Sequence, residues 1–409
     1  MSSRTESSDK PFYVYSVDLA KGIVLIPMIF GHALLWYDRT RAYAWDKGSE
    51  LFLLFSNSGE NTLAMFWLIT IAFMVFPCFF YVYGFNAANS LIRQGPGANR
   101  AAIRSRSLRR VIILFIVGSF GQSIMALVVS PGEVINYILT WNFFHLFGFT
   151  TLSFLVIFEI VWWLEKRGYN PQQLLVSIIA GVLAILLIIF VIFHDYWDPA
   201  TAQHIILSTK IEIVDILKHA LIDYGTTPII PFFAFGLMGG LAATALNLPD
   251  PESSKSASHK AIIFLIIGVV FYLVGAFFSL FIERSIATPV EYPASTTFIF
   301  FTLGVLNIFI MSLLIIFDFD HISFNYRDQL KQLLKPLAIF GQLSLTIYFI
   351  HNIMFGIPVE MMFFYQKDLL FFIFMVFYTI LFIIIAVVWR KKLKFKYTFE
   401  WAIRKFTSE

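Results

Sequence analysis

The chain has 409 residues, of which 58% are hydrophobic and only 14% charged, with a mean hydropathy of +0.76. A soluble domain carries about 25% charged residues, so a mainly soluble fold is excluded and an all-α integral membrane protein is predicted. The net charge of +4 is no nucleic-acid signal, because the basic residues flank apolar stretches, and the single cysteine, Cys78, excludes an intramolecular disulfide and a Cys-based metal cluster.

Residues 1–13 form a polar segment with no A-x-A cleavage pattern, which predicts a retained, cytoplasmic N-terminal segment rather than a signal peptide. Ten apolar stretches follow that are long enough to span a bilayer, near 14–37, 62–91, 109–130, 143–164, 174–193, 228–246, 261–282, 297–317, 336–356 and 368–389. They predict one transmembrane domain over 14–389. The linker from His194 to Thr227 holds a periodic piece at Ile211–Ile222 that reads as a surface helix, and 247–260 reads as a flexible polar loop. Residues 390–409 read as a basic tail lying against anionic headgroups.

Of the 30 Lys and Arg, 22 fall on the N-terminal side of this arrangement and seven on the other, with Lys21 inside the first span. The positive-inside rule then predicts both termini in the cytoplasm.

The first stretch carries Asp18, Lys21 and His32. Asp18 and Lys21 share a helix face and can neutralise each other. His32 lies about 21 Å further along, most of the way across a hydrocarbon core of about 30 Å. Ionisable groups at such depth are costly and point to function. A structural ion pair and a packing histidine are the plainer readings.

The predicted topology puts His32, His145 and His351 toward the outer face, in three different spans. Asp223 and Tyr224 precede the sixth span from outside, and Tyr292 sits in an outer loop. On the inner face, four arginines (Arg104, Arg106, Arg109, Arg110) lie within seven residues at the expected start of the third span. Positive-inside anchoring explains them, and phosphate binding at a helix start is the sharper alternative. Asp318, Asp320 and His321, and the group His194, Asp195, Asp198 and His204, read as solvated loops. No metal site is expected.

Several motifs, in order, resemble those of one family. The pattern D-x-x-K-G-x5-M-x3-H (Asp18, Lys21, Gly22, Met28, His32) resembles the first-helix signature of the transmembrane acyltransferase superfamily, in its heparan-alpha-glucosaminide N-acetyltransferase-like branch. FFYVYGFNAANSL (Phe79–Leu91) is similar to its second helix, and the arginine run to the start of its third. WNFFHLFGF (Trp141–Phe149), DYGTTPIIPFFAFGLMGG (Asp223–Gly240), EYPASTTFIFFTLG (Glu291–Gly304) and FGQLSLTIYFIHN (Phe340–Asn352) resemble later segments. Lys21, Phe233 and Gln342 stand where the family pattern has arginine, tryptophan and arginine.

The resemblance implies transfer of an acyl group, usually acetyl, from cytoplasmic acyl-CoA to a hydroxyl or amine, often on a sugar, at the extracytoplasmic face. It implies His32, with His351 or His145, as base or acyl carrier. Asp18, Lys21, Arg106, Arg109 and Arg110 would hold CoA, and Asp223, Tyr224, Tyr292 and Asn352 the acceptor. Asn142, Tyr348 and Asn352 are candidate donors to the oxyanion. Acetyl-CoA or another acyl-CoA is the expected co-substrate. The expected partners are the lipid bilayer and a sugar or glycolipid acceptor, with a homodimer left open and no nucleic acid; the expected location is the cell membrane. The competing functions are a proton-coupled secondary transporter or lipid flippase, and a scaffold that has kept the fold without the chemistry.

Overall fold

The computed structural model describes residues 13–41, 62–93, 99–129, 143–192, 229–247, 254–282, 296–319, 325–356 and 368–408. Among them every regular element is helical. The helices are α1 (Tyr15–Arg41), α2 (Thr62–Ile92), α3 (Arg100–Val129), α4 (Phe143–Glu165), α5 (Pro171–Ile192), α6 (Ile229–Leu246), α7 (Ser254–Phe277, ending in a π turn, Phe278–Ile282), α8 (Thr296–Phe317), α9 (Arg327–Gln342), α10 (Ser344–Gly356), α11 (Asp368–Leu393) and α12 (Phe399–Ser408). Among the described residues, five helices are long and apolar enough to cross a membrane, and a sixth span results if α9 and α10 are taken as one.

Helix starts follow from local chemistry. Asn99 Oδ1 accepts the N–H groups of Ala101 and Ala102 at 3.1 and 3.2 Å. Asn170 does the same for Gln172 and Gln173 ahead of α5, whose first residue is Pro171. Both are side-chain caps of otherwise orphaned amides.

Three expectations are corrected here. α3 starts at Arg100 rather than near 109, because Asn99 caps it there, so the arginines lie inside the helix and not at its open end. The loop 247–260 is helical from Ser254, because Ala257 and Ser258 pack into the bundle. The stretch 336–356 is two helices bent by 67° at Leu343. The surface helix expected at 211–222 lies outside the described residues.

The helices pack where glycines let backbones touch. A Cβ on Gly22 would come 1.9 Å from the Leu337 carbonyl oxygen, and one on Gly341 the same distance from that of Asp18, so α1 and α9 cross in backbone contact. Gly84 and Gly239 do the same for α2 and α6, against Gly236 and Tyr81. Gly268, Gly275 and Gly304 bring α7 against α8. Small residues at crossings are the usual means of close packing in membranes. One buried polar tie joins α2 to α8: the Tyr81 hydroxyl donates to Asn307 Oδ1 at 2.6 Å. The outward faces of α5, α7 and α11 are apolar, with Ile188, Ile263, Leu273, Phe377 and Ile384 exposed, as a lipid-facing surface requires.

Gly239→Ala should therefore destabilise the protein by about 2 kcal/mol or more through overpacking. Gly181→Ala on α5, where a Cβ meets nothing within 4 Å, should be neutral or slightly stabilising. Thermal unfolding of both variants in the same detergent checks this.

Candidate active site

Asp18 stands in the first turn of α1, and its carboxylate gathers three partners. Lys21 Nζ lies 2.6 Å from Oδ1. Gln342 Nε2, at the end of α9, donates to Oδ2 at 2.9 Å and to the Tyr13 hydroxyl at 2.5 Å. The Tyr13 hydroxyl also hydrogen-bonds Asp18; partial burial, and then the Asp18 charge, push this phenol above its ordinary value, so it stays neutral. Gln342 was legible in the sequence only as a departure from a family arginine. An amide keeps the two donors and drops the charge, which suits a carboxylate already balanced by Lys21.

The start of α1 is held from a distance. Asp318, just past α8, accepts the backbone N–H groups of Tyr15 at 2.9 Å and Ser16 at 3.0 Å. The Tyr15 hydroxyl donates to the Lys331 carbonyl at 3.0 Å. Asp318 is thus a helix cap and not a solvated loop residue.

The arginine cluster divides by role. Arg104 forms a bidentate pair with Glu159, at 2.8 and 2.9 Å, and Arg100 reaches Glu165 at 2.9 Å. Both tie α3 to α4. Arg110 lies over the Tyr83 ring, 5.1 Å from its centroid. The Nε atoms of Arg109 and Arg110 are buried and have no hydrogen-bond partner among the described residues. Arg106 is exposed.

His351 on α10 is fully buried, and its Nδ1 lies 2.7 Å from the Ile347 carbonyl oxygen. A carbonyl only accepts, so Nδ1 carries the proton and Nε2 is the basic nitrogen of the neutral ring. Tyr348 packs edge-on to this ring. His145 is buried on α4, with Nε2 3.1 Å from Ser119 Oγ and its ring edge-on to Phe115. Its ring also hydrogen-bonds the Phe115 backbone. His145 is therefore tied to α3. The two histidine helices meet through Phe144, which packs on Tyr348 and stacks on Phe349.

The backbones of His32 and Asn352 lie in α1 and α10, but their side chains fall outside the described residues, as do Asn142, Asp223, Tyr224 and Tyr292. Among the described residues no group of three or more His, Cys, Asp or Glu is arranged to hold a metal.

An all-helical bundle with lipid-facing apolar surfaces, an ion pair near one end and a buried histidine defines a polytopic membrane protein. A family model described as an acyltransferase domain matches residues 14–388. The chain belongs to that family, and with it to the transmembrane acyltransferases. Comparison with curated proteins gives no match.

Asp318→Ala should cost about 1–2 kcal/mol by uncapping α1, while Asp318→Asn, whose side-chain oxygen still accepts, should retain most of the stability. Melting temperatures of the two purified variants against the parent decide it.

Proposed function

We propose that this acyltransferase takes its acyl group, acetyl in the simplest case, from acyl-CoA in the cytoplasm. The group passes to a hydroxyl or amine, on a sugar or glycolipid, at the extracytoplasmic face of the cell membrane. The reading includes ten spans with both termini cytoplasmic, and kinship with the heparan-alpha-glucosaminide N-acetyltransferase-like branch.

One observation carries it. α1 and α10 pack together and leave the same polar joint, where Asp18 meets Gln342. His32 stands 11 residues past Lys21, about 16 Å along α1, and His351 seven residues past Ser344, about 10 Å along α10 from the bend that follows Gln342. Two histidines reached from one joint along contacting helices suit a base and its partner.

In the proposed reaction the acceptor hydroxyl or amine attacks the thioester carbonyl. A histidine takes the acceptor's proton, the C–S bond breaks, and CoA leaves as the thiol after protonation. A histidine that first carries the acyl group itself is the other route. Tyr348, packed against His351, is a candidate donor to the oxyanion, as are Asn142 and Asn352. Asp223, Tyr224, Tyr292 and Asn352 are proposed to meet the acceptor. The phosphates of CoA are assigned to Arg106, Arg109 and Arg110, with Lys21 and Asp18 shaping the site beside them. Lys21 is already paired, so Arg109 and Arg110 are the stronger candidates among these cations.

CoA should raise the melting temperature of the purified protein; a carrier or an inactive scaffold should show no such shift. His32→Ala and His351→Ala should each lower transfer from radiolabelled acetyl-CoA by on the order of 100-fold while CoA binding persists. Arg109→Ala combined with Arg110→Ala should weaken CoA binding, and wild-type affinity should fall with salt. Near-wild-type transfer in both histidine variants would end the catalytic assignment.

A further inference from the structure

The tail does not trail away from the bundle. α11 continues to Leu393, a tight turn follows with Lys394, Phe395 and Tyr397 at positive φ, and α12 folds back against α3 and α10. There it engages the start of α10 in both directions. Glu400 Oε1 accepts the backbone N–H groups of Leu345 at 2.7 Å and Thr346 at 3.1 Å, and Oε2 accepts the Thr346 hydroxyl. Thr346 Oγ1 in turn accepts the N–H of Phe399 at 3.0 Å. Phe399 stacks on Phe349, with ring centroids 4.3 Å apart, and Phe349 stacks on Phe144 of α4. Thr398 caps α12 itself by accepting the Trp401 N–H at 3.1 Å.

These bonds have a specific meaning at this point of the chain. In an unbroken helix the N–H groups of Leu345 and Thr346 would go to the carbonyls of Gly341 and Gln342. The 67° bend at Leu343 takes both acceptors away. Glu400 supplies their replacement, from a residue more than fifty positions later. Orphaned amides at a buried helix start would otherwise oppose the bend. His351 lies five residues past Thr346 on the same short helix and is fully buried. The direction of its ring therefore follows the direction in which α10 leaves the bend.

We propose that Glu400 and Thr346 are positioning residues: the tail helix fixes the bend between α9 and α10 and so aims His351. The kinetic consequence rests on the acyl-transfer reading above, while the structural consequence does not. Neither residue needs to touch acyl-CoA or acceptor. The tail also packs on α3, the helix of Arg109 and Arg110, so one element touches both the helix assigned to phosphates and the helix that carries His351.

The test uses the full-length protein in lipid nanodiscs, as wild type, Glu400→Ala, Glu400→Gln and Thr346→Ser. Amide hydrogen exchange is followed at Leu345 and Thr346, and kcat and KM for acetyl-CoA are measured separately. In Glu400→Ala, exchange at both amides should rise at least tenfold, and kcat should fall on the order of tenfold with KM within about twofold. Thr346→Ser, which keeps the hydroxyl, should match wild type in both measurements. Glu400→Gln, which keeps an oxygen acceptor for the amides, should fall between the two, and it carries the test if the alanine variant does not accumulate. Wild-type exchange and kcat in the Glu400 variants would overturn the proposal. So would a joint fall of kcat, affinity and melting temperature that Thr346→Ser shares, which would make the contact a general fold anchor. If wild type transfers no acyl group to any acceptor, the functional reading fails instead, and the exchange arm alone decides whether Glu400 holds the bend.

Discussion

The first backbone amides of a helix have no acceptor within it and must find one in water, in a capping side chain or elsewhere in the chain. Two helices of this bundle meet the demand locally, through Asn99 and Asn170. Two others meet it over long sequence distances, through Asp318 at α1 and Glu400 at α10. A local cap decides only where a helix begins. A distant carboxylate also decides what the helix must lie beside. The end of α8 is bound to the start of α1, and α12 to the start of α10. The helix carrying His32 and the helix carrying His351 thus both have starts fixed by another part of the fold.

The polar joint between them depends on glycine. Gly22 follows Lys21, and Gly341 precedes Gln342. Side chains there would hold α1 and α9 apart, since the Gly341 Cα faces the Asp18 carbonyl at a distance no Cβ tolerates. With the backbones in contact, the Asp18 carboxylate falls within reach of the Gln342 amide. The same logic recurs at α2 with α6 and at α7 with α8, where glycines rather than polar bonds set the approach. Apolar side chains gain little by leaving lipid for protein, so close backbone contact carries much of the packing.

Helix positions were legible because long apolar runs have few alternatives. Each of the ten stretches overlaps a helix, and Asp18 with Lys21 forms the expected pair. The arginine run was legible as charge but not as roles. Glu159 and Glu165, which engage Arg104 and Arg100, lie some 55 to 65 residues away, and no local pattern couples them. The bend at Leu343 was not legible, because 336–356 is long and apolar enough to read as one span in spite of Gly341, Gln342 and Ser344 beside the break. Glu400, whose carboxylate meets the freed amides beyond the bend, sits in a tail that reads in the sequence mainly as basic charge. Asp318 misled for a similar reason: a carboxylate beside Asp320 and His321 reads as a solvated loop until the start of α1 is seen against it.

The electrostatics of the joint bear on where an anionic co-substrate would be held. Asp18 and Lys21 close on each other at 2.6 Å with both side chains largely buried, so the pair is neutral to a ligand approaching from outside. Gln342 and a neutral Tyr13 add dipoles and no charge. Removing either ion would leave the other buried and unpaired, which favours a role in holding the shape of the site. Cations at this end of the bundle lie on α3 and in the last turn of α11 (Arg390, Lys391 and Lys392), a helix that packs on both α1 and α9. On α3, Arg100 and Arg104 are spent on carboxylates of α4, and Arg106 faces outward. Arg109 and Arg110 remain, with buried Nε atoms unmatched among the described residues and one guanidinium lying over Tyr83. A guanidinium held against an aromatic face still offers its edge donors to a phosphate. On this argument the paired residues of α1 shape the site, and the α3 arginines are its proposed grip on the negative charges of CoA.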